Sequence, residues 1–264
     1  MSELAQSFGD VAEAYDRGRP RYEPHVIAAI AAAAAVVGPH LLDVGAGTGR
    51  LADPLLRAGY DVVAIEPLDG MRAILARTIG AERALTGRAE ALPLADASVD
   101  GAVCSDAWHW FDGPKAAEEL QRVLRPDGGV VICFSLPDEE RALPWAAEAE
   151  AVLRPLWKAV DHPSSQGIER PSGLDGHRGF EPLERRHIPF VHHTEREGIL
   201  AHVTSMSPVA TLAADRRVAL LDELDAILRG HGVRDVDVPY IAELWVTRRR
   251  RDRAPREVPV EAAS

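Results

Sequence analysis

Between Leu41 and Arg50 the chain reads LLDVGAGTGR, with glycines at positions 45, 47 and 49 just after an acidic residue, Asp43. Alternate glycines let a backbone turn sharply out of a strand and approach a ligand where any side chain would clash. A dinucleotide loop, G-x-G-x-x-G, needs a third glycine where Arg50 stands, and it holds a pyrophosphate at the following helix N-terminus. A carboxylate at Asp43 repels pyrophosphate and attracts a cation, so the loop reads as a site for a ligand carrying positive charge. Glu66 follows about 20 residues after the first glycine, the place from which a carboxylate accepts both ribose hydroxyl hydrogens. His109 lies between Trp108 and Trp110, where it is either a general base or an imidazole that shapes a pocket. Tyr15 and Arg19 stand ready for a ligand carboxylate, a role suited to guanidinium, or form an exposed arm. Of His192 and His193 at most one can face a pocket, because neighbours in a strand point to opposite sides, and no third ligand supports a metal there. Trp145 and Trp157, twelve residues apart, fit one helix face as core or pocket wall.

Alternating strands and helices must position these residues. Ala28–Val37 reads as an alanine-rich helix, His40–Val44 as a short buried strand, Leu51–Ala58 as a helix stopped by Gly59, and Asp61–Glu66 as an apolar strand. Further expectations are a helix over Asp69–Thr78, a strand near Ala84–Thr86, a strand over Val99–Ser105, a helix over Lys115–Leu124 and a strand over Val130–Ser135. Strands without alternation, separated by helices, predict a parallel sheet covered on both faces. Beyond Pro137 the pattern loosens to a helix near Leu143–Ala159, an irregular covering stretch His162–Gly179, a strand Glu184–His193, a helix Arg217–Leu228, a strand Tyr240–Thr247 and a solvated tail Arg248–Ser264.

The motif DVGAGTG resembles the glycine-rich motif of class I S-adenosylmethionine-dependent methyltransferases. The resemblance continues through EPLDGM at residues 66–71, GRAEALPL at 87–94 followed by DASVD at 96–100, and VLRPDGG at 123–129, the last a structural helix-to-strand turn in that family. A closer likeness is to the trans-aconitate methyltransferase-like branch, carried by Phe8, Ala12, Tyr15, Arg19, Pro20 and Tyr22, which in relatives form a helix and arm closing over the cofactor. The branch's aromatic motif appears as Ala107 to Phe111, although relatives commonly carry a small or amide residue in place of Asp106. The segment 204–207 and the following helix resemble substrate-covering helices. The resemblance implies a doubly wound, Rossmann-like α/β fold with seven strands, mostly parallel with the last antiparallel. It divides the chain into an arm and cofactor core (1–137), a lid insertion with one core strand (138–216), a closing helix and strand (217–247) and a tail (248–264).

The same resemblance implies S-adenosyl-L-methionine as cofactor, S-adenosyl-L-homocysteine as product, and no metal. It implies cofactor contacts from Tyr15, Arg19, Asp43, Gly45, Ala46, Gly47, Thr48, Gly49, Glu66 on the ribose, Pro67, Met71 on the adenine, Ala89 and Glu90 at the purine edge, Ser105 and Trp108, with His109 as candidate base. Methyl transfer is an in-line displacement in which the protein must hold the nucleophile within about 3–3.5 Å and exclude water. A carboxylate acceptor needs no base, whereas a hydroxyl does. The expected activity is O-methylation of a small molecule at a carboxylate or hydroxyl. Alternatives are C- or N-methylation, a nucleotide-binding protein without transfer, and an NAD-dependent oxidoreductase.

Composition narrows the partners. A net charge of -11 lacks the basic footprint that nucleic acid requires, so a small molecule is the expected partner. Cys104 and Cys133 lie in apolar runs and read as buried thiols of a reducing compartment. The longest apolar run, Ala28–Val37, is about half a membrane span, and the expected location is the cytoplasm.

Overall fold

The structure is a computed structural model describing residues 12–159 and 171–251; Phe8, the first part of the irregular stretch and most of the tail lie outside the described residues. Seven strands form one sheet in the order β3-β2-β1-β4-β5-β7-β6. They are β1 (His40–Val44), β2 (Asp61–Ile65), β3 (Ala84–Leu85), β4 (Val99–Ser105), β5 (Leu124–Pro137), β6 (Glu184–Glu195) and β7 (Asp235–Arg248). β1 to β5 run parallel, and β7 is antiparallel to both neighbours. The mostly parallel sheet with an antiparallel last strand is the one the family resemblance implies.

The strands nearest the middle are buried on both faces, as a helix-covered parallel sheet requires: β1 has four of five residues buried and β4 six of seven. On one face the cluster includes Ile30, Leu41, Leu55, Leu75, Val131 and Leu244; on the other it includes Leu42, Val44, Ile65, Leu120, Ile132 and Phe180. The helices over these faces are α2 (Pro24–Ala34), α3 (Ala52–Arg57), α4 (Asp69–Ile79) and α5 (Gly113–Val123). Helix α2 begins four residues before the predicted Ala28, because Pro24 occupies its first turn, where a missing N–H costs nothing. Helix α5 starts early for a similar reason: Asp112 caps it by accepting from the Lys115 amide at 3.4 Å.

Strands β5 and β7 outrun the predicted Val130–Ser135 and Tyr240–Thr247. They pair residue by residue from Gly129–Arg248 to Pro137–Tyr240, and the extra length carries β7 on to β6, where its alternating DVDV segment sits near the sheet edge. The remaining helices gather over the carboxyl ends of the parallel strands. They are α1 (Ala12–Gly18) of the N-terminal arm, α6 (Ala146–Ala159), α7 (Arg196–Thr204), α8 (Ser207–Ala210) and α9 (Ala214–Gly230). Helix α7 was not predicted. It buries Gly198, Ala201 and Val203, a small-residue face that leaves no wide apolar stripe in the sequence.

Candidate active site

The sheet order reverses between β1 and β4, and open α/β sheets bind ligands at the carboxyl ends of such a pair. The glycine loop leaves β1 there. Gly45, Gly47 and Gly49 have φ of 69°, 57° and 92°, a region that side chains disfavour. Their surroundings differ. A Cβ at Gly45 would come within 2.8 Å of the Ala107 side chain and one at Gly49 within 2.9 Å of Leu75, whereas one at Gly47 would meet only the Tyr15 ring at 3.6 Å. Protein packing therefore demands the first and third glycines, whereas the middle one faces the Tyr15 ring of the arm at ordinary contact distance.

The loop amides are already committed. Gly45 and Ala46 donate to the Ile65 carbonyl at 2.9 and 3.1 Å, and Gly47 donates to Glu66 Oε2 at 2.9 Å. The other Glu66 oxygen accepts from the Leu68 amide at 2.9 Å, so the carboxylate is fixed in one orientation with lone pairs to spare. Burial raises its pKa, and the two amides oppose that. Asp43 is different. It is 1% exposed, and neither carboxylate oxygen has a hydrogen-bond partner. Burial and the neighbouring Glu66 push its pKa up to about 7.

Thr48 and Arg50 reach away from the ligand side. Thr48 donates to Asp16 Oδ1 at 2.8 Å, and the Arg50 guanidinium donates to the Asp16 carbonyl at 2.6 Å and to the Arg19 carbonyl. Arg50 thus fastens the end of α1 to the loop, which accounts for a long side chain where a dinucleotide site has glycine.

Above the loop opens a cavity of about 1390 Å³, lined at one end by Tyr15, Arg19, Gly45, Gly47, Glu66, Pro67, Met71, Ala89, Glu90, Ser105 and His109. These eleven of the sixteen candidate residues come together around one space. Asp43 and Ala46 border instead a small void of about 30 Å³ behind the loop. Thr48 and Gly49 are buried away from the large cavity, and Trp108 is also turned into the protein, where its indole donates to the Ser172 carbonyl at 3.2 Å. His109 lines the cavity with its ring 4.9 Å from that of Trp110 and 6.1 Å from that of Phe134.

Comparison with known proteins decides the family. Residues 42–132 match the model of a methyltransferase domain. Over 233 residues the chain is 34% identical to an uncharacterized methyltransferase of Mycobacterium tuberculosis, an alignment covering 87% of this chain and 88% of that one. The chain belongs to the class I S-adenosylmethionine-dependent methyltransferases. A malonyl-[acyl-carrier protein] O-methyltransferase of Pectobacterium atrosepticum is 37% identical over 136 residues, 51% of this chain and 53% of that one. Among solved structures, a candidate type II methyltransferase from Anaeromyxobacter dehalogenans shares the fold with a TM-score of 0.59 at 23% identity, covering 88% of this chain and 97% of that one.

The opposite end of this methyltransferase's cavity is apolar. Trp145, Leu153 and Trp157 of the α6 region, Leu200, Val203 and Met206 around α7, and Leu224 and Leu228 of α9 line it. The two tryptophans form pocket wall, one of the two places the sequence allowed. His192 lines the same space, is 8% exposed and is held near pKa 4 by burial and by Arg50 and Arg21, so it is neutral at physiological pH. His193 points outward and bonds Asp237 at 2.8 Å, so one histidine of the pair faces the cavity. Sequence reasoning missed His202 of α7, which lines the cavity and whose pKa burial drives well below that of a free imidazole. It also missed Arg50's structural role and the hydroxyl cluster of Tyr22, Ser105 and Ser135, in which Tyr22 Oη lies 2.8 Å from Ser105 Oγ and accepts from Ser135 Oγ at 2.9 Å. None of these contacts has a local sequence signal. Among the described residues no group of three or more histidine, cysteine, aspartate or glutamate side chains could hold a metal, and no helix is long and apolar enough to cross a membrane.

Proposed function

We propose that the enzyme uses S-adenosyl-L-methionine to methylate an oxygen, carboxylate or hydroxyl, of a small acceptor with an apolar body. The observation that carries this reading is the two-ended cavity. A site for one ligand holds about 300–1,000 Å³, so about 1390 Å³ has room for a nucleotide and an acceptor together. The buried, unpartnered Asp43 carboxylate and the preset Glu66 carboxylate suit a ligand that brings positive charge and a ribose diol. The cofactor, when bound, supplies a methyl group already activated by sulfonium.

The chain's own residues hold and orient. Glu66 would accept from the ribose hydroxyls, Met71, which clusters with Ala12, Ile74 and Tyr15, would pack on the adenine, and the lining residues Ala89 and Glu90 would border the purine edge. Pro67, Ser105 and the loop residues Gly45, Ala46, Gly47, Thr48 and Gly49 complete the cradle by direct contact or by fixing its backbone. The apolar lid surface excludes water, which strengthens every electrostatic contact inside. His109 takes the proton from a hydroxyl acceptor; a carboxylate acceptor arrives ionised and leaves His109 a positioning role. The partial likeness to an O-methyltransferase supports oxygen as the acceptor atom.

The test is calorimetric titration with S-adenosylmethionine, S-adenosylhomocysteine and NAD, followed by methyl-transfer assays on a panel of aliphatic and aromatic acids, phenols, alcohols and amines. Binding of both sulfur nucleotides and turnover of an acid or hydroxyl compound is the expected outcome. Binding of NAD alone, or turnover confined to amines, overturns it.

A further inference from the structure

Four polar side chains outside the nucleotide cradle line the cavity: His192 of β6, His202 of α7, Ser207 at the start of α8 and Tyr240 of β7. They stand where its two ends meet. His202 shares its helix with Leu200 and Val203 of the apolar wall, and its imidazole feels the charge of Arg19 on the loop side. The rings of His192 and Tyr240 lie 6.5 Å apart. The hydrogen-bonding capacity of this group is largely unspent. His192 is 8% exposed, and its Nδ1 accepts a long hydrogen bond from the Arg21 amide at 3.5 Å. The neutral ring therefore carries its proton on Nε2, which has no partner among the described residues. Ser207 is 1% exposed with its Oγ equally unpartnered, and the buried Nδ1 of His202 is a third such atom. Buried polar atoms are almost always paired, so three orphans on the wall of one cavity mark a place where a ligand supplies the partner.

These side chains offer hydrogen bonds without net charge. Burial, followed by Arg19, His192 and Arg50, holds His202 well below the pKa of a free imidazole, and His192 is neutral for a similar reason. Burial lifts the Tyr240 hydroxyl to about 12, while Arg19 and Asp106 act on it in opposite directions. A carboxylate brought to this wall would give up its water for neutral donors, a costly exchange. A ketone or hydroxyl oxygen trades one hydrogen bond for another at little cost.

We infer that His192, His202, Ser207 and Tyr240 form a polar anchor for the methyl acceptor and hold a ketone or hydroxyl oxygen of an uncharged, hydroxylated compound with an apolar body. This rests on the methyl-transfer reading above and narrows its acceptor from acids and hydroxyl compounds to the latter. The anchored oxygen is distinct from the one methylated, so the acceptor carries at least two.

The experiment pairs acceptors on the full chain. With S-adenosylmethionine present, methyl transfer is measured on matched hydroxyaryl ketones and hydroxyaryl acids of increasing size, para-hydroxyacetophenone against para-hydroxybenzoate being the smallest pair. The ketone should have the higher kcat/KM, by about 10-fold. Tyr240→Phe, which keeps the ring stacked on Phe190 with centroids 5.6 Å apart, and His202→Leu should each raise the ketone KM about 3- to 10-fold, the range for one neutral hydrogen bond, with kcat held within about 2-fold. His202→Gln keeps a side-chain N–H donor and should recover most of the loss, which a purely structural histidine would not show. The Kd for S-adenosylhomocysteine should be the same in all three variants. Preference for the acids, no turnover of any ketone, or variants that weaken the nucleotide as much as the ketone overturns the anchor. A wild-type chain that does not bind S-adenosylhomocysteine overturns the methyl-transfer reading itself; one that binds it and turns over acids alone leaves that reading standing and removes only the uncharged anchor.

Discussion

The two ends of the cavity are built by different means. At the glycine-loop end, backbone amides and the Glu66 carboxylate are matched bond for bond within the stretch from Gly45 to Leu68, with the Asp43 carboxylate buried behind them. At the lid end, apolar side chains arrive from α6, α7, α8 and α9, with Val203, Val209 and Leu224 buried, the rest partly buried, and no α6 residue buried completely. The first end selects by hydrogen-bond geometry and charge, which tolerate little change; the second selects by shape and apolar contact, which can be repacked. On the proposed reading the cofactor takes the first end and the acceptor takes the second.

Four changes would break or sharpen that contrast. The largest effect is expected from Asp43→Asn in the ligand-free protein. Its folded pKa is raised from 3.8 to about 7, so its contribution to stability is intact below about pH 4 and is lost as pH rises toward 7. Removing the charge should therefore stabilise the chain by up to about 4 kcal/mol at pH 8, at 1.36 kcal/mol per pKa unit, and by little at pH 4. Chemical denaturation at both pH values checks this; equal effects at both would refute a buried, ionising Asp43. Next, Glu66→Ala should weaken S-adenosylhomocysteine by about 100-fold, since two ribose hydrogen bonds to a charged group are lost, and calorimetry measures it. Trp157→Ala at the lid should lower kcat/KM for the acceptor by about 10-fold while the nucleotide Kd stays put; a parallel loss of nucleotide affinity would erase the division between the two ends. The smallest effect separates adjacent residues. His192→Ala should lower Tm or raise the acceptor KM, whereas His193→Ala, with 73% of its side chain exposed, should leave both unchanged.

Much of the first end was legible in the sequence because it is local. Strand β4 runs over the predicted Val99–Ser105 and β1 over His40–Val44, since strands buried on both faces are uniformly apolar and bounded by turn residues. Asp43 and Glu66 stood out by their spacing from the glycines. The lid end was not legible in the same way. Helix α7 has no broad apolar stripe, and the place of His202 in the cavity depends on how that helix lies across the sheet edge. Even within the loop, the roles of Thr48 and Arg50 were hidden, because their partner Asp16 lies 32 and 34 residues away on the arm.

Helix α1 ties the two ends together. Through Asp16 it is bonded to the glycine loop, and at Gly18 it crosses α7 so closely that a Cβ would collide with the Ala201–His202 backbone. This seven-residue helix is therefore a shared brace, packed against α7 at one point and bonded to the loop at another. The amides of α1 and α7 should exchange with solvent as one cooperative unit, slowed together when the nucleotide binds. A side chain at Gly18 would push α1 off α7 and disturb the glycine loop through Asp16.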